Sequence, residues 1–206
     1  MATQAWCRAF LAQLVACGVK HVAVSPGSRS TPMTVAADRT DGLELTMHLD
    51  QRSGGFFALG LARATRRPVA VLCTSGTAAA NYLPAVIEAY HSGVPLVVLT
   101  TDRPPELLGV GAPQAIDQVA LYGTHTRWAA NVATAGSEAP GEAASLAHQA
   151  VVRATRQAPV PVHVHIGLRE PLEPPTQAPT PVGLPPMPPN HVTAQPGPPP
   201  PPLTHT

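Results

Sequence analysis

Two loops rich in glycine, proline and arginine carry the side chains best suited to binding a charged small molecule. The run SPGSRSTP, residues 25–32, contains Ser28 and Arg29, and the run TTDRPPELLGVGAPQAIDQ, residues 100–118, contains Arg103. A guanidinium fork pairs with a carboxylate through two parallel hydrogen bonds, so these arginines predict a site for a carboxylate ligand. The alternative is that both arginines only tie loops together.

A third loop, TSGTAAAN at residues 74–81, follows the strand-like run PVAVLC and opens a helix-like run. Backbone N–H groups at the start of a helix lack intrahelical partners, so Ser75, Gly76 and Thr77 are candidates for holding a polar or anionic ligand. Serine and threonine at such a position also occur as plain helix N-caps. Because all three loops follow strands, we interpret them as one ligand-binding rim.

Other residue patterns give weaker indications of chemistry. His163 and His165 alternate along a predicted strand, but further metal ligands at suitable spacing are missing from the sequence, which favours a structural role. The GxSxG form of a nucleophile elbow is also missing. Cys7, Cys17 and Cys73 are widely spaced in apolar surroundings, which is typical of reduced core thiols in a cytosolic protein.

Strand-like apolar runs of four to seven residues alternate with helix-like segments along the first 170 residues. This alternation predicts an α/β domain over residues 1–170, a doubly wound parallel sheet with helices on both faces. The predicted helices span residues 4–18, 51–66, 77–91 and 141–156, and the predicted strands span residues 21–25, 68–74, 95–101 and 160–167.

The composition changes at residue 171, since 15 of the 26 prolines fall in residues 171–206. A segment without an amphipathic period cannot bury enough apolar surface to offset the entropy of ordering. We therefore expect a disordered proline-rich tail there. A proline-rich ligand for an aromatic groove on a partner is the alternative.

The remaining composition argues against several classes of partner. A formal net charge of +1 gives no field that would attract nucleic acid or an anionic membrane surface. The apolar N-terminal stretch lacks a basic region of the kind that opens a signal peptide, and no run of about 18 apolar residues suggests a membrane span. We expect a cytoplasmic protein.

The three loops, together with HLDQRSGGFFALGLA at residues 48–62, resemble the N-terminal pyrimidine-binding (Pyr) domain of thiamine-diphosphate enzymes. Within that superfamily the chain is most similar to the menaquinone-pathway synthases that make 2-succinyl-5-enolpyruvyl-6-hydroxy-3-cyclohexene-1-carboxylate from isochorismate and 2-oxoglutarate. The resemblance covers residues 6–174. An acetolactate-synthase-like domain would share the TSG loop but would not account for the TDRPPEL run.

The resemblance implies roles for particular residues. Ser28, Arg29, Arg103 and Gln114 match isochorismate contacts, and the loop with Ser75, Gly76 and Thr77 borders the pyrimidine of thiamine diphosphate. In these synthases a glutamate in an Asp-Glu-Arg run shares a proton with a pyrimidine nitrogen. Here Gln51 occupies that position, and an amide can form hydrogen bonds but cannot exchange a proton.

The resemblance also implies partners. Magnesium or manganese and the diphosphate are held in this family by a separate domain with a Gly-Asp-Gly run, which does not occur in these 206 residues. The active site lies between subunits, so we expect a homo-oligomer or a chain that supplies the missing domain. The resemblance favours a thiamine-diphosphate-dependent transferase, and the alternative is a non-catalytic binding or assembly module, or an inactive remnant.

Overall fold

The computed structural model describes residues 2–137 and 139–173 of the chain. The predicted proline-rich tail lies outside the described residues from residue 174 onward. Within the described part, no helix is long and apolar enough to cross a bilayer.

Six parallel strands form one sheet, in the order β2-β1-β3-β4-β6-β5. The strands are β1 (His21–Ser25), β2 (Glu44–Met47), β3 (Val69–Cys73), β4 (Leu96–Asp102), β5 (Ala129–Val132) and β6 (Val162–Gly167). The helices are α1 (Ala2–Ala16), α2 (Thr31–Asp38), α3 (Gln51–Thr65), α4 (Thr77–Ala80), α5 (Leu83–His91) and α6 (Pro140–Thr155). Short 3-10 turns cover Ser28–Ser30, Pro105–Leu107 and Gly123–His125.

Two apolar clusters, one on each face of the sheet, confirm the doubly wound arrangement. Side chains of α1, α2 and α6 cover one face, where Trp6 stacks on Phe10 with ring centroids 5.2 Å apart. Side chains of α3, α4 and α5 cover the other face around Tyr82 and Tyr122. Strands β3, β4 and β6 are buried along their whole length, which explains the continuous apolar runs VAVLC in β3 and LVVL in β4. Cys7, Cys17 and Cys73 are free and buried, as predicted.

The predicted helix over residues 77–91 is wrong in one respect, because it is two helices, α4 and α5. Pro84 lies in the first turn of α5. In one continuous helix, the Pro84 ring would clash with the carbonyl of residue 80, and Pro84 has no N–H to donate to it. The structure also contains α2 and the edge strands β2 and β5, which the sequence patterns did not predict.

The chain order reverses between β1 and β3, because β1 is followed by β2 on one side whereas β3 is followed by β4 on the other. At such a switch point, the loops after the two strands diverge and leave a crevice for ligands. The loop after β1 and the loop after β3 are in close contact at Gly27 and Thr74. A Cβ atom added to Gly27 would lie 2.5 Å from Cβ of Thr74.

We predict opposite stability changes for two glycine-to-alanine substitutions. Gly27→Ala should lower the free energy of unfolding by about 1–3 kcal/mol, because the new methyl group would overlap Thr74. Gly60→Ala should raise it by about 0.5–1 kcal/mol, because Gly60 lies inside α3 with no atom within 4 Å of an added Cβ. Thermal melts of the two variants measure this, and equal melting temperatures would contradict the contact between the loops.

Candidate functional site

The carboxyl ends of β1, β3 and β4 bring the three predicted loops to one edge of the sheet. Ser25 pairs in register with Cys73, and Cys73 pairs with Thr100. Because these strands are parallel and adjacent, the loops that follow them leave the sheet on the same side. The prediction of one rim for the three loops is consistent with this register.

Five residues of two loops, Ser75, Gly76, Arg103, Gln114 and Gln118, form a hydrogen-bonded group that we call the turn cluster. The Arg103 guanidinium Nη1 donates to Ser75 Oγ at 2.8 Å and to the Gln114 carbonyl at 3.1 Å. The Gln114 side-chain Nε2 donates to the Ser75 carbonyl at 3.0 Å. The long loop after β4 is thereby held against the turn after β3.

Gly76 is the most constrained residue of the turn cluster. Its φ of +79° lies in the region that favours glycine, and an added Cβ would lie 2.7 Å from the Gln114 carbonyl oxygen. Its N–H donates to Gln118 Oε1 at 2.6 Å. The N–H predicted to be available for a ligand therefore already has a partner within the chain, whereas Thr77 is exposed. A cofactor contact by Ser75, Gly76 and Thr77 stays a prediction.

Arg29 bonds to different elements from Arg103, although both side chains are largely buried, with 10% and 12% of their surface exposed. The Arg29 side chain is buried, and its guanidinium donates to the Leu168 carbonyl at 2.9 Å and to Glu170 Oε1 at 3.3 Å. Ser28 beside it is exposed. Both arginines therefore tie loops together, which is the alternative left open above. A substrate contact by either one, by Ser28 or by Gln114 stays a prediction.

Gln51 is the first residue of α3, and its half-buried side chain makes no hydrogen bond within the described part of the chain. Asp50, the N-cap, accepts from the Arg52 backbone N–H at 2.8 Å and from the Arg52 guanidinium at 2.6 Å. The Arg52 guanidinium lowers the pKa of Asp50 to about 2. Asp50 is thus an ion-pair partner of Arg52, and it does not offer a carboxyl group in place of residue 51.

The first turn of α3 approaches the carboxyl end of β1. An added Cβ at Gly54 would lie 3.0 Å from Cβ of His48 and 3.3 Å from Ser25 Oγ. This close approach brings Gln51 to the same edge of the sheet as the loop that starts after Ser25. The glycine pair Gly54 and Gly55 permits it, since both are buried in the helix.

A buried polar chain lies behind the turn cluster, on β4 and β6. Thr100 Oγ1 is 2.8 Å from His163 Nε2 and 3.3 Å from His165 Nδ1. Gln118 Nε2 is 3.4 Å from the same Nδ1 atom. His163 and His165 thus face one side of the sheet, as predicted. The described residues contain no group of three or more metal-ligating side chains.

Both histidines are neutral at physiological pH. Burial lowers the pKa of His163 to about 3, and the neighbouring His165 acts in the same direction. Burial also lowers the pKa of His165, against the opposing effect of the Asp102 and Asp117 carboxylates. A buried histidine that stays neutral is suited to a fixed hydrogen-bonding role.

We predict an acid-dependent loss of stability caused by His163. The unfolded chain binds a proton near the ordinary pKa of 6.5, whereas folded His163 binds one only near pH 3, so stability falls as pH decreases between these values. The slope contributed is up to about 1.4 kcal/mol per pH unit. Urea unfolding of wild type and His163→Phe at several pH values measures it. Parallel pH profiles for the two proteins would contradict the assignment.

A cavity of about 400 Å³ lies between the loop at residues 108–119 and the ends of β4 and β6. Asp102, Asp117 and His165 line it together with apolar loop side chains. A second depression, of about 460 Å³, is lined by Arg127 and by residues of α6 and the turn after it. Arg127 donates to the carbonyls of Arg156 and Ala158, so this arginine has a structural role in holding the end of α6.

Asp102, Gln118 and Thr101 all lie in the 100–118 run, and the sequence patterns assigned none of them a role in the site. Asp102 is 1% exposed and accepts from the Arg103 backbone N–H at 2.8 Å. Thr101 Oγ1 donates to the Cys73 carbonyl at 2.8 Å. The signal that could have found them is the switch, within this run, from a wholly apolar strand to polar residues at its end.

The fold and the three loops define a pyrimidine-binding domain of the kind found in thiamine-diphosphate enzymes. The sequence matches the family "thiamine pyrophosphate enzyme, N-terminal TPP binding domain" over residues 6–121, and the chain belongs to this family. The predicted resemblance to the Pyr domain is thereby confirmed.

Several proteins that share at least half of their aligned residues with this chain carry the same enzyme name. The chain is 54% identical over 168 residues to the 2-succinyl-5-enolpyruvyl-6-hydroxy-3-cyclohexene-1-carboxylate synthase of Geobacillus thermodenitrificans, covering 81% of the chain and 29% of that protein. It is 53% identical over 171 residues to the same synthase of Chloroflexus aurantiacus, covering 82% of the chain and 29% of that protein. It is 50% identical over 184 residues to the same synthase of Haloarcula marismortui, covering 87% of the chain and 31% of that protein. The chain therefore spans less than a third of these relatives.

Proposed function

We propose that the chain is the pyrimidine-binding part of a thiamine-diphosphate-dependent transferase that joins decarboxylated 2-oxoglutarate to isochorismate in menaquinone biosynthesis. The observation that carries this proposal is the identity of 50–54% to synthases of that name over most of the chain. The turn cluster supports it, because an arginine and two glutamines meet at the carboxyl edge of a parallel sheet.

In this proposal the chain supplies the isochorismate side of the site. Isochorismate is a dicarboxylate, and Arg103 is a candidate cation for one of its carboxylates, because it lies beside the exposed Gln114. It would use the donors that its bonds to Ser75, Pro113 and Gln114 leave free. Arg29 and Ser28 form the second part of this surface. Arg29 is already bound to Leu168 and Glu170, so it would reach a ligand only with donors that these contacts leave free.

The residues present fit binding of the thiamine pyrimidine but not proton exchange with it. Among the residues that the structure describes, none bonds to the half-buried Gln51 amide, so its donor and its acceptor can bind a pyrimidine nitrogen in either tautomer. Ser75, Gly76 and Thr77 would border the ring from the other loop. When bound, the cofactor supplies the carbanion chemistry, and Gln51 cannot deliver the proton that a glutamate would.

The diphosphate and a magnesium or manganese ion would be held by sequence that these residues do not contain, since no Gly-Asp-Gly run occurs in them. We propose a homo-oligomer, or an assembly with a chain that carries the missing domain, and of these two only the second can complete the site. Phe56 and Phe57 on α3 are 46% and 42% exposed and offer an apolar contact for such an assembly. We also propose a cytoplasmic location, because Cys7, Cys17 and Cys73 are free thiols.

A second candidate function is a non-catalytic binding or assembly module, and Gln51 is the observation that favours it. The fold and the turn cluster do not depend on a carboxyl group at residue 51, because Asp50 and Arg52 cap the helix by themselves. Fold and activity are separable in this way. Binding of isochorismate without turnover in any assembly would favour this candidate.

We expect the 206-residue chain alone to consume neither 2-oxoglutarate nor isochorismate in the presence of thiamine diphosphate and magnesium. Mixed with a chain that carries the remaining part of a related synthase, it should give product above the level of either chain alone. Product from the 206-residue chain alone would contradict the missing-domain argument. An assembled mixture that stays inactive even with Gln51→Glu would contradict the synthase proposal.

A further inference from the structure

Gln118 is a buried residue whose side-chain orientation is determined by its neighbours. It is 1% exposed, and its amide contacts the Gly76 N–H, the Thr101 carbonyl and His165 Nδ1. A backbone N–H can only donate, and a backbone carbonyl can only accept. Gln118 Oε1 must therefore face Gly76 at 2.6 Å, and Nε2 must face Thr101 at 3.3 Å.

This orientation also determines the proton position on His165. Gln118 Nε2 carries protons and lies 3.4 Å from His165 Nδ1, so Nδ1 must be an unprotonated acceptor. The His165 proton then lies on Nε2, which is 3.9 Å from Asp102 Oδ2. A proton on Nδ1 would oppose the Gln118 N–H, and only the Thr100 hydroxyl at 3.3 Å could then accept it. With Nδ1 unprotonated, that hydroxyl can donate to Nδ1 and accept from His163 Nε2 at 2.8 Å.

We propose that Gln118 and His165 are positioning residues, which fix the Gly76 turn through one hydrogen-bonded chain that requires neutral His165. These hydrogen bonds connect His165 on β6 to the Gln118 amide, and the Gln118 amide to the Gly76 N–H. Arg103 holds Ser75 on the other side of the turn. The turn that borders the cofactor pyrimidine is thus held from both sides, and this consequence for the ligand rests on the function proposed above.

Burial and the neighbouring carboxylates act in opposite directions on the protonation of His165. Asp102 at the end of β4 and Asp117 in the long loop favour its protonated form, whereas burial opposes that form. His163 lies beside it on β6, with ring centroids 6.3 Å apart. The Asp102 carboxylate is in turn shared with Arg103, whose Nη1 lies 3.6 Å from Oδ1. The effect of burial is the larger, so the pKa of His165 is lowered and its ring stays neutral.

Nuclear magnetic resonance of the isotope-labelled 206-residue chain tests the proposal without any ligand. In Gln118→Leu, the Gly76 amide should exchange with solvent about tenfold faster, because its acceptor is removed. In Gln118→Glu, a carboxylate would face His165 Nδ1, so the His165 pKa should rise above its wild-type value. The Gly76 amide signal should then titrate together with His165.

Gln149→Leu is the matched control, because Gln149 is an exposed glutamine on α6 whose side chain donates to Ser145 Oγ, away from the turn cluster. It should change neither Gly76 exchange nor the His165 titration. If Gln118→Leu does not fold, the isosteric Gln118→Glu variant carries the test through the His165 titration. Unchanged Gly76 exchange in a folded Gln118→Leu, or an unchanged His165 titration in Gln118→Glu, would overturn the proposal. Failure of the synthase proposal would appear as absent isochorismate binding and leave these two readouts intact.

Discussion

Replacing Gln51 with glutamate should raise the turnover of the assembled two-part enzyme by roughly 10²–10⁴-fold. The physical reason is that glutamate can exchange a proton with a pyrimidine nitrogen, whereas the Gln51 amide can only form hydrogen bonds. The substitution is nearly isosteric and lies at the first position of α3, where a negative charge is favourable. The measurement is steady-state product formation by the chain together with a chain carrying the missing domain.

Gln51→Ala is the control for this substitution, because it removes the amide without adding an acid. It should leave turnover at or below the wild-type level. Unchanged or lower turnover in Gln51→Glu would show that residue 51 does not contact the pyrimidine nitrogen, or that this protein is adapted to an amide there.

Replacing Arg103 or Arg29 with alanine should weaken isochorismate binding by about 1.5–3 kcal/mol, roughly tenfold to a hundredfold. Each would remove a charge-assisted contact to a carboxylate. The structure adds a cost in stability for both variants. Arg29 donates to the Leu168 carbonyl, and Arg103 donates to Ser75 Oγ and the Gln114 carbonyl, so both substitutions should also lower the melting temperature.

Calorimetric titration of isochorismate into each variant, alongside thermal melts, measures both effects. Arg63→Ala is the control, because Arg63 is an exposed arginine in the last turn of α3. Unchanged affinity with a reduced melting temperature in both variants would show that Arg29 and Arg103 are only structural. Absence of binding by the wild-type chain calls for the same titration with the assembled enzyme.

The central strands and most helices could be predicted because their burial leaves a direct trace in the sequence. β3 and β4 are buried on both faces and therefore read as continuous apolar runs, such as VAVLC at Val69–Cys73. The edge strands β2 and β5 are only partly buried, so their residues carry no such run. The break before α5 was predictable from Pro84, but the apolar period on both sides concealed it.

The site could be predicted as a set of loops, but the hydrogen bonds within it could not. Arg103, Gln114 and Ser75 were candidates because polar residues follow buried strands. The bond between Gln118 and Gly76 joins residues 42 positions apart, and it depends on how the long loop folds back over β3. Local sequence carries no information about such a pairing. Arg29 was likewise a candidate for its charge, whereas its contacts with Leu168 and Glu170 depend on β6.

The most direct test of the account is to map isochorismate binding on the isotope-labelled chain by its backbone amide shifts. The account predicts that the largest shifts fall on Ser75, Gly76, Arg103 and Gln114 at the carboxyl edge of the sheet, and that Arg103→Ala abolishes them at the same ligand concentration. Shifts confined to the α6 depression around Arg127, or shifts unaltered by Arg103→Ala, would contradict the claim that this edge is the isochorismate half of a thiamine-diphosphate enzyme site.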